Sequence, residues 1–129
     1  IMKVLCGKEE KLEIYGSDYK TKDGTCIRDY IHVTDLARAH INCLDFLKVG
    51  DENLFLNLAA GSGHSVLEVI EEVERQSGVK VPFKFTRRRR GDPSVVISKS
   101  SYKISPINWK PLNSDLKSII SSVLSTYKL

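Results

Sequence analysis

Residues 12–36 read LEIYGSDYKTKDGTCIRDYIHVTDL, and the rest of the chain can be arranged around them. The stretch opens with a strand-like alternation at 11–15 and continues into a loop rich in Gly, Asp and Thr. A second strand-like run follows at 28–33 and leads into a helix near Asp35. Tyr15, Arg28 and Tyr30 lie at the margins of the loop. Aromatic rings and a guanidinium suit a site that holds a ring and an anion.

Outside this stretch, extended and helical patterns alternate, which predicts an α/β fold. The 129 residues support one domain spanning 1–129. Helices are predicted at 1–5, from a cap at Thr34 or Asp35 to Gly50, at 66–76, and from Ser114 or Asp115 onward. The remaining predictions are strands at 54–60, 81–86 and 95–98, a tight turn at 61–65 and one helical turn at 102–107.

The bulk composition is that of a soluble globular protein, with 41% hydrophobic and 28% charged residues. The sequence contains no run of ~18 apolar residues, so no membrane span is predicted. Residues 1–10 lack the regions of a signal peptide. Cys6, Cys26 and Cys43 have neither disulfide-framework nor zinc-site spacing, which favours free thiols and a cytoplasmic location.

A run of four arginines, Arg87–Arg90, is the strongest concentration of charge in the sequence. The net charge of +4 favours anionic partners. Three interpretations remain: a solvated basic loop, contact with a small anionic ligand, and binding of nucleic acid. Nucleic acid is the least favoured of these, because few aromatic residues interleave with the run.

Arg28 is unusual because it lies within an apolar, strand-like run. It is interpreted either as half of an ion pair with Asp29 or another carboxylate, or as a phosphate ligand. Asp92 is either a turn residue or an acceptor for sugar hydroxyls. The three histidines lack metal-ligand spacing, so no metal site is predicted, and no Gly-x-Gly-x-x-Gly follows a strand.

Three segments together resemble the UDP-glucose 4-epimerases, a family of extended short-chain dehydrogenase/reductases. They are LxIYGxDYxTxDGTxxRDYIHVxDLAxAH at 12–40, NLxxGxGxSVLxV at 57–69 and RRxGD at 88–92. The resemblance covers nearly the whole chain. It implies the C-terminal, UDP-sugar-binding portion of the family, without the N-terminal Rossmann domain that binds NAD and carries the catalytic Tyr-x-x-x-Lys.

The resemblance also implies roles for particular residues. Implied contacts are Arg28 and Arg89 to the diphosphate, Tyr15 to the uracil, Asp92 and Tyr30 in the ribose region, and Val96 at a position that limits sugar size. A valine there is on the smaller side. It implies an enzyme that tolerates UDP-N-acetylhexosamines.

The implied reaction is NAD-dependent inversion at sugar C4, as in galactose metabolism. No catalytic residue is expected in this chain, and NAD is not expected to bind the chain alone, so the chain by itself is expected to be inactive. Its expected partners are a UDP-sugar and a missing or separate Rossmann domain. Exposed apolar faces also predict self-association. The alternatives are part of another nucleotide-sugar epimerase, decarboxylase or dehydratase, and a stand-alone UDP- or anion-binding remnant without catalysis.

Overall fold

A computed structural model describes residues 1–50, 53–98 and 106–127. Helices and strands mix along the chain, which confirms the predicted α/β class. The helices are α1 (Met2–Leu5), α2 (Val33–Val49), α3 (Val66–Ser77) and α4 (Leu116–Thr126). The strands are β1 (Leu12–Tyr15), β2 (Ile27–Asp29), β3 (Gly63–Ser65), β4 (Phe83–Thr86) and β5 (Val95–Val96). No helix in the described ranges has the length and apolarity needed to cross a membrane.

The strands form two small sheets that position the loops around them. β1 pairs in parallel with β4, and Tyr15 lies opposite Thr86, the last residue before the arginine run. β2 is the central strand of the second sheet, antiparallel to β3 and parallel to β5. Arg28 on β2 lies opposite Val96 on β5. The two pairings therefore bring both ends of the loop at 16–26 close to the segment 87–96.

One apolar cluster lies beneath α3 and is called the α3 cluster. Its buried members come from three helices, β1 and the segment before β4: Val4, Ile14, Ile70, Val73, Val81 and Ile120. Ser65 and Glu68 close a capping box at the start of α3, and Gly78 ends the helix at φ +70°. The helix predicted at 66–76 is confirmed by α3. Its apolar periodicity, its N-terminal cap and its terminating glycine all agree with the structure.

A second cluster, the α2 cluster, has Ala39, Ile107 and Trp109 as its buried members. The predicted caps of α2 were wrong, because the helix begins at Val33 and His32 caps it by accepting from the Thr34 N–H at 3.1 Å. Asp35 lies inside the first turn and is fully buried.

Asp35 instead anchors the segment 112–114 to α2. Its carboxylate accepts from the Ser114 hydroxyl at 2.7 Å and from the Asn113 and Leu112 N–H groups at 2.7 and 3.0 Å. Burial, the largest single cause, pushes the pKa of Asp35 upward, but these hydrogen bonds outweigh it and the net pKa is lowered. The ionised carboxylate therefore holds α2 to the chain that leads into α4.

Two extended segments differ from their predictions. The strand predicted at 54–60 pairs with no other strand in the described ranges. The tight turn predicted at 61–65 is partly the strand β3, which pairs with β2. Pairing depends on a partner strand distant in sequence, which local patterns do not reveal. Most of the helical turn predicted at 102–107 lies outside the described residues.

Candidate functional site

Tyr15 and Arg89 stack against each other at the end of β1. The guanidinium carbon of Arg89 lies 3.9 Å from the centre of the Tyr15 ring, well inside cation–π range. The Tyr15 hydroxyl donates to Glu13 at 3.1 Å, and Glu13 pairs with Lys84 at 2.8 Å. The parallel pairing of β1 with β4 positions this group, because it brings the arginine run to the tip of β1. One predicted aromatic and one predicted arginine are thus brought together.

Arg28 and Asp92 form an ion pair across 64 positions of sequence. Both side chains are about three-quarters buried, with exposures of 24% and 22%. Asp29 is not the partner of Arg28, because its carboxylate accepts from the Ala60 and Gly61 N–H groups at 3.0 and 3.1 Å. The Asp92 N–H also donates to the Arg89 carbonyl at 3.2 Å. The turn at 89–92 therefore joins the Tyr15 group to the Arg28 group.

A small cavity of about 190 Å³ adjoins Arg28 and is bounded on the opposite strand by Val96. Leu58 and Ala59 form another part of its wall. Tyr30 does not line this cavity, although it is half-buried two residues after Arg28. Burial raises the pKa of the Tyr30 phenol, and the positive charge of Arg28 opposes that rise. The cavity is smaller than the ~300–1,000 Å³ of typical small-molecule sites.

A larger, open groove of about 780 Å³ runs past the Tyr15 side of the site. Glu13, Tyr15, Lys84 and Arg89 are among its lining residues. Its charged groups have both signs, and the Glu13 carboxylate is balanced by Lys84. The groove therefore offers a ligand an aromatic face, Tyr15, and a cation, Arg89.

The pairing of Arg88 with Tyr19 was missed from the sequence. Arg88 lies 4.1 Å from the centre of the buried Tyr19 ring, and its Nε donates to Asp18 at 2.7 Å. Two consecutive arginines therefore stack on two tyrosines that are four residues apart. The available signal was an aromatic pair at 15 and 19 together with the adjacent arginines at 88 and 89. Arg88 therefore ties the arginine run to the loop at 16–26.

The loop at 16–26 is held in shape by Asp23. Its carboxylate accepts from the Thr25 N–H and hydroxyl, both at 2.8 Å, and from the Ser65 hydroxyl. Burial acts to raise the pKa of Asp23, but these hydrogen bonds lower it further than burial raises it. Gly24 has φ +79°, and a Cβ there would lie 2.2 Å from the Ser17 carbonyl oxygen. The Asp-Gly-Thr sequence is therefore the structural basis of the loop.

The described residues contain no cluster of side chains suited to a metal ion.

No protein-family model matches the chain. The UDP-glucose 4-epimerase of Azospirillum brasilense is 43% identical over 129 residues, which cover 97% of this chain and 37% of that protein. The chain thus spans little more than a third of the length of this curated relative.

Solved structures agree with this similarity. The UDP-glucose-4-epimerase from Stenotrophomonas maltophila, with bound NAD and formylated UDP-arabinopyranose, has a TM-score of 0.87 and 39% identity over 98% of this chain and 39% of its own. The UDP-Glc/GlcNAc 4-epimerase from Campylobacter jejuni has a TM-score of 0.81 and 47% identity, over 95% of this chain and 37% of its own.

Proposed function

We propose that this chain, which is homologous to the C-terminal portion of UDP-glucose 4-epimerases, is the UDP-sugar-binding part of such an enzyme. The observation that carries the proposal is the turn at 89–92. It connects an arginine stacked on a tyrosine to an arginine held by an aspartate. An aromatic face followed by two cations matches the order of uracil and diphosphate along a UDP-sugar.

In this proposal, Arg28 and Arg89 bind the diphosphate through charge-assisted hydrogen bonds. Tyr15 contacts the uracil, and Asp92 accepts from a ribose hydroxyl, with Tyr30 in the same region. The ion pair with Asp92 holds the Arg28 guanidinium in place before the ligand arrives. Arg28 therefore loses little side-chain freedom on binding, which reduces the entropic cost.

The hexose would occupy the cavity beside Val96, and the small side chain leaves room for an N-acetyl group. The Campylobacter jejuni structure, described as a UDP-Glc/GlcNAc 4-epimerase, supports this substrate class by its 47% identity. Val96→Tyr is expected to weaken binding of UDP-N-acetylglucosamine and to leave UDP binding unchanged. Equal weakening of both ligands would refute the assignment of Val96.

NAD would supply hydride transfer at sugar C4 in the complete enzyme. The sequence has no glycine-rich dinucleotide fingerprint, so we place that cofactor and the acid–base chemistry outside this chain. The role of the chain is to bind and orient the sugar. The isolated chain is accordingly expected to show no conversion of UDP-galactose. We also expect it to self-associate through its exposed apolar faces, and its three unpaired cysteines fit a cytoplasmic location.

Titration calorimetry with UDP tests the binding proposal. Arg28→Ala and Arg89→Ala are each expected to weaken UDP binding by about tenfold or more, because each removes charge-assisted hydrogen bonds. Arg90→Ala is the matched control, since it deletes a neighbouring exposed arginine that the proposal does not use. Equal losses in all three variants would show that only the net charge matters.

An RNA oligonucleotide in the same assay distinguishes nucleic-acid binding by the arginine run from the proposed binding of UDP. Tighter binding of RNA than of UDP, with a steep dependence on salt, would contradict the proposed function.

A further inference from the structure

Tyr19 carries a buried hydroxyl that has no hydrogen-bond partner among the residues that the structure describes. The side chain is 5% exposed, so water does not readily reach the hydroxyl either. Tyrosine hydroxyls usually find a partner when they are buried, because an unpaired polar group costs stability. An exception of this kind requires a physical reason. The hydroxyl is available to a group that the free chain does not place against it.

The Tyr19 ring is held in place independently of its hydroxyl. The guanidinium carbon of Arg88 lies 4.1 Å from the ring centre, and Arg88 is itself tied to Asp18. A Cβ at Gly16 would lie 2.5 Å from Cε2 of Tyr19, the ring carbon beside the one that carries the hydroxyl. The backbone at Gly16 therefore packs against the hydroxyl end of the ring. These contacts need the ring alone, so they do not explain why the residue is a tyrosine rather than a phenylalanine.

The phenol lies close enough to the Arg28–Asp92 ion pair for both charges to act on it. Burial, the largest cause, raises the pKa of the Tyr19 phenol, and the negative charge of Asp92 raises it further. The positive charges of Arg88 and Arg28 oppose that rise. A phenol with a raised pKa stays protonated at neutral pH and can donate. Tyr19 therefore brings a neutral donor to the neighbourhood of a carboxylate.

The Arg28–Asp92 pair is the part of the site that an arriving diphosphate would perturb most. Arg28 donates to Asp92 and, through Nη1, to the Ile27 carbonyl at 2.7 Å. Phosphate oxygens compete for the same guanidinium and carry negative charge toward Asp92. A carboxylate that shares its cation with an anion gains from a second donor. An uncharged donor suits this position, because it does not draw the diphosphate away from Arg28.

We propose, on the basis of the proposed function, that Tyr19 is a positioning residue of the diphosphate site: when the diphosphate binds Arg28, the Tyr19 hydroxyl donates to Asp92 and holds that carboxylate in place. A carboxylate has about four acceptor positions, so a second donor is compatible with the ion pair. The same step gives the buried hydroxyl its partner. Ligand binding thereby removes a cost that the free chain carries.

Titration calorimetry with UDP on the whole 129-residue chain and on Tyr19→Phe tests the proposal. The substitution deletes the hydroxyl and keeps the ring on Arg88. It is expected to weaken UDP binding about tenfold, the scale of a hydrogen bond to a charged group. The urea midpoint of the free chain is expected not to fall, because the hydroxyl has no partner there to lose. Tyr127→Phe is the matched control, since it deletes the hydroxyl of a tyrosine that is 41% exposed, and it is expected to change neither quantity.

The role of Asp92 is tested by a double-mutant cycle and by NMR of chain labelled at the tyrosine Cζ carbon. Tyr19→Phe is expected to have no further effect on UDP affinity in an Asp92→Ala background. UDP is expected to shift the Tyr19 Cζ signal in the unmodified chain and to leave it unshifted in Asp92→Ala at saturating UDP. A merely structural tyrosine would show neither result.

Unchanged UDP affinity in Tyr19→Phe, or the same loss of affinity with and without Asp92, would overturn the role of Tyr19 and leave the proposed function standing. A lower urea midpoint together with unchanged affinity would do the same, because it would assign the hydroxyl to folding alone. If the unmodified chain bound no UDP, the proposed function and the role of Tyr19 would both be overturned.

Discussion

The α3 cluster and the α2 cluster differ in how completely the chain surrounds them. Elements from both ends and the middle of the sequence enclose the α3 cluster, so that Ile70 and Val73 are 2% and 0% exposed. The α2 cluster also buries Ala39 and Trp109, at 0% and 1% exposure, but the outer side of the same helix is uncovered and Ile41 remains 58% exposed. In the first region, elements of this chain alone bury the cluster. In the other, one side of the helix stays exposed, and four measurements can test this contrast.

The largest effect is expected from truncating matched isoleucines in the two regions. Ile70→Ala removes buried methyl groups from the α3 cluster and is expected to lower the free energy of unfolding by about 3–4 kcal/mol. Ile41→Ala removes the same atoms from the exposed side of α2 and is expected to change it by less than about 0.5 kcal/mol. Urea unfolding measures both. Similar losses in the two variants would mean that the outer side of α2 is covered in solution.

Removing the carboxylate that ties the α2 region to α4 is expected to have the next largest effect. Asp35→Ala leaves the Asn113 and Leu112 N–H groups and the Ser114 hydroxyl without their buried acceptor. The expected loss is about 2–3 kcal/mol of unfolding free energy. Asp45→Ala, at an exposed ion pair with Lys48, is the control and is expected to cost under about 0.5 kcal/mol. A negligible loss for Asp35→Ala would contradict its anchoring role.

A smaller effect is expected at the boundary where β3 enters α3. Ser65→Ala deletes the capping box, and it also removes the donor that Asp23 accepts from in the site loop. The expected cost is about 1 kcal/mol of unfolding free energy. Ser77→Ala, at the last residue of the same helix, is expected to cost clearly less. Equal losses of unfolding free energy in the two variants would show that the cap contributes no specific stability.

The smallest effect concerns pH. The pKa of Asp35 is lowered in the folded chain, so below its ordinary value of about 3.9 the unfolded chain binds more protons than the folded chain. Its contribution to stability is therefore complete above that value and is lost as the pH falls through the lowered pKa. In Asp35→Asn, unfolding free energy is expected to fall less steeply below about pH 4 than in the unmodified chain. Identical slopes would show that other carboxylates dominate acid unfolding.

Local signals were enough to predict α3. Ser65, Glu68 and Gly78 mark its ends, and the apolar positions between them have helical period. The residues that the resemblance singled out lie in two connected groups in the structure, Tyr15 with Arg89 and Arg28 with Asp92, and their binding roles stay a prediction. These are elements whose determinants lie within a few residues or within one motif.

The errors arose where the determinant is distant in sequence. Asp35 was predicted as a cap because Asp before an apolar-periodic run normally is one, yet the three groups of segment 112–114 that donate to it are 77 to 79 positions away. The choice of Asp92 rather than Asp29 as the partner of Arg28 depends on how β2 and β5 pair. Segment 54–60 has the sequence pattern of a strand, but pairing also requires a partner strand, which local residues do not specify.

The pairing of β2 with β5 places Arg28 and Val96 directly across from each other. Residues on paired strands share a register, and a shift of one residue moves a side chain to the opposite face. Changing the length of the loop at 89–94 would therefore displace the side chain at 96 from the cavity beside Arg28, and Asp92 from Arg28, together. The residue type at position 96 can therefore change without disturbing the register, whereas the number of residues between Arg89 and position 96 is strongly constrained. Under the proposed function, new sugar preferences are expected to arise by substitution at position 96 and not by insertion or deletion in the turn.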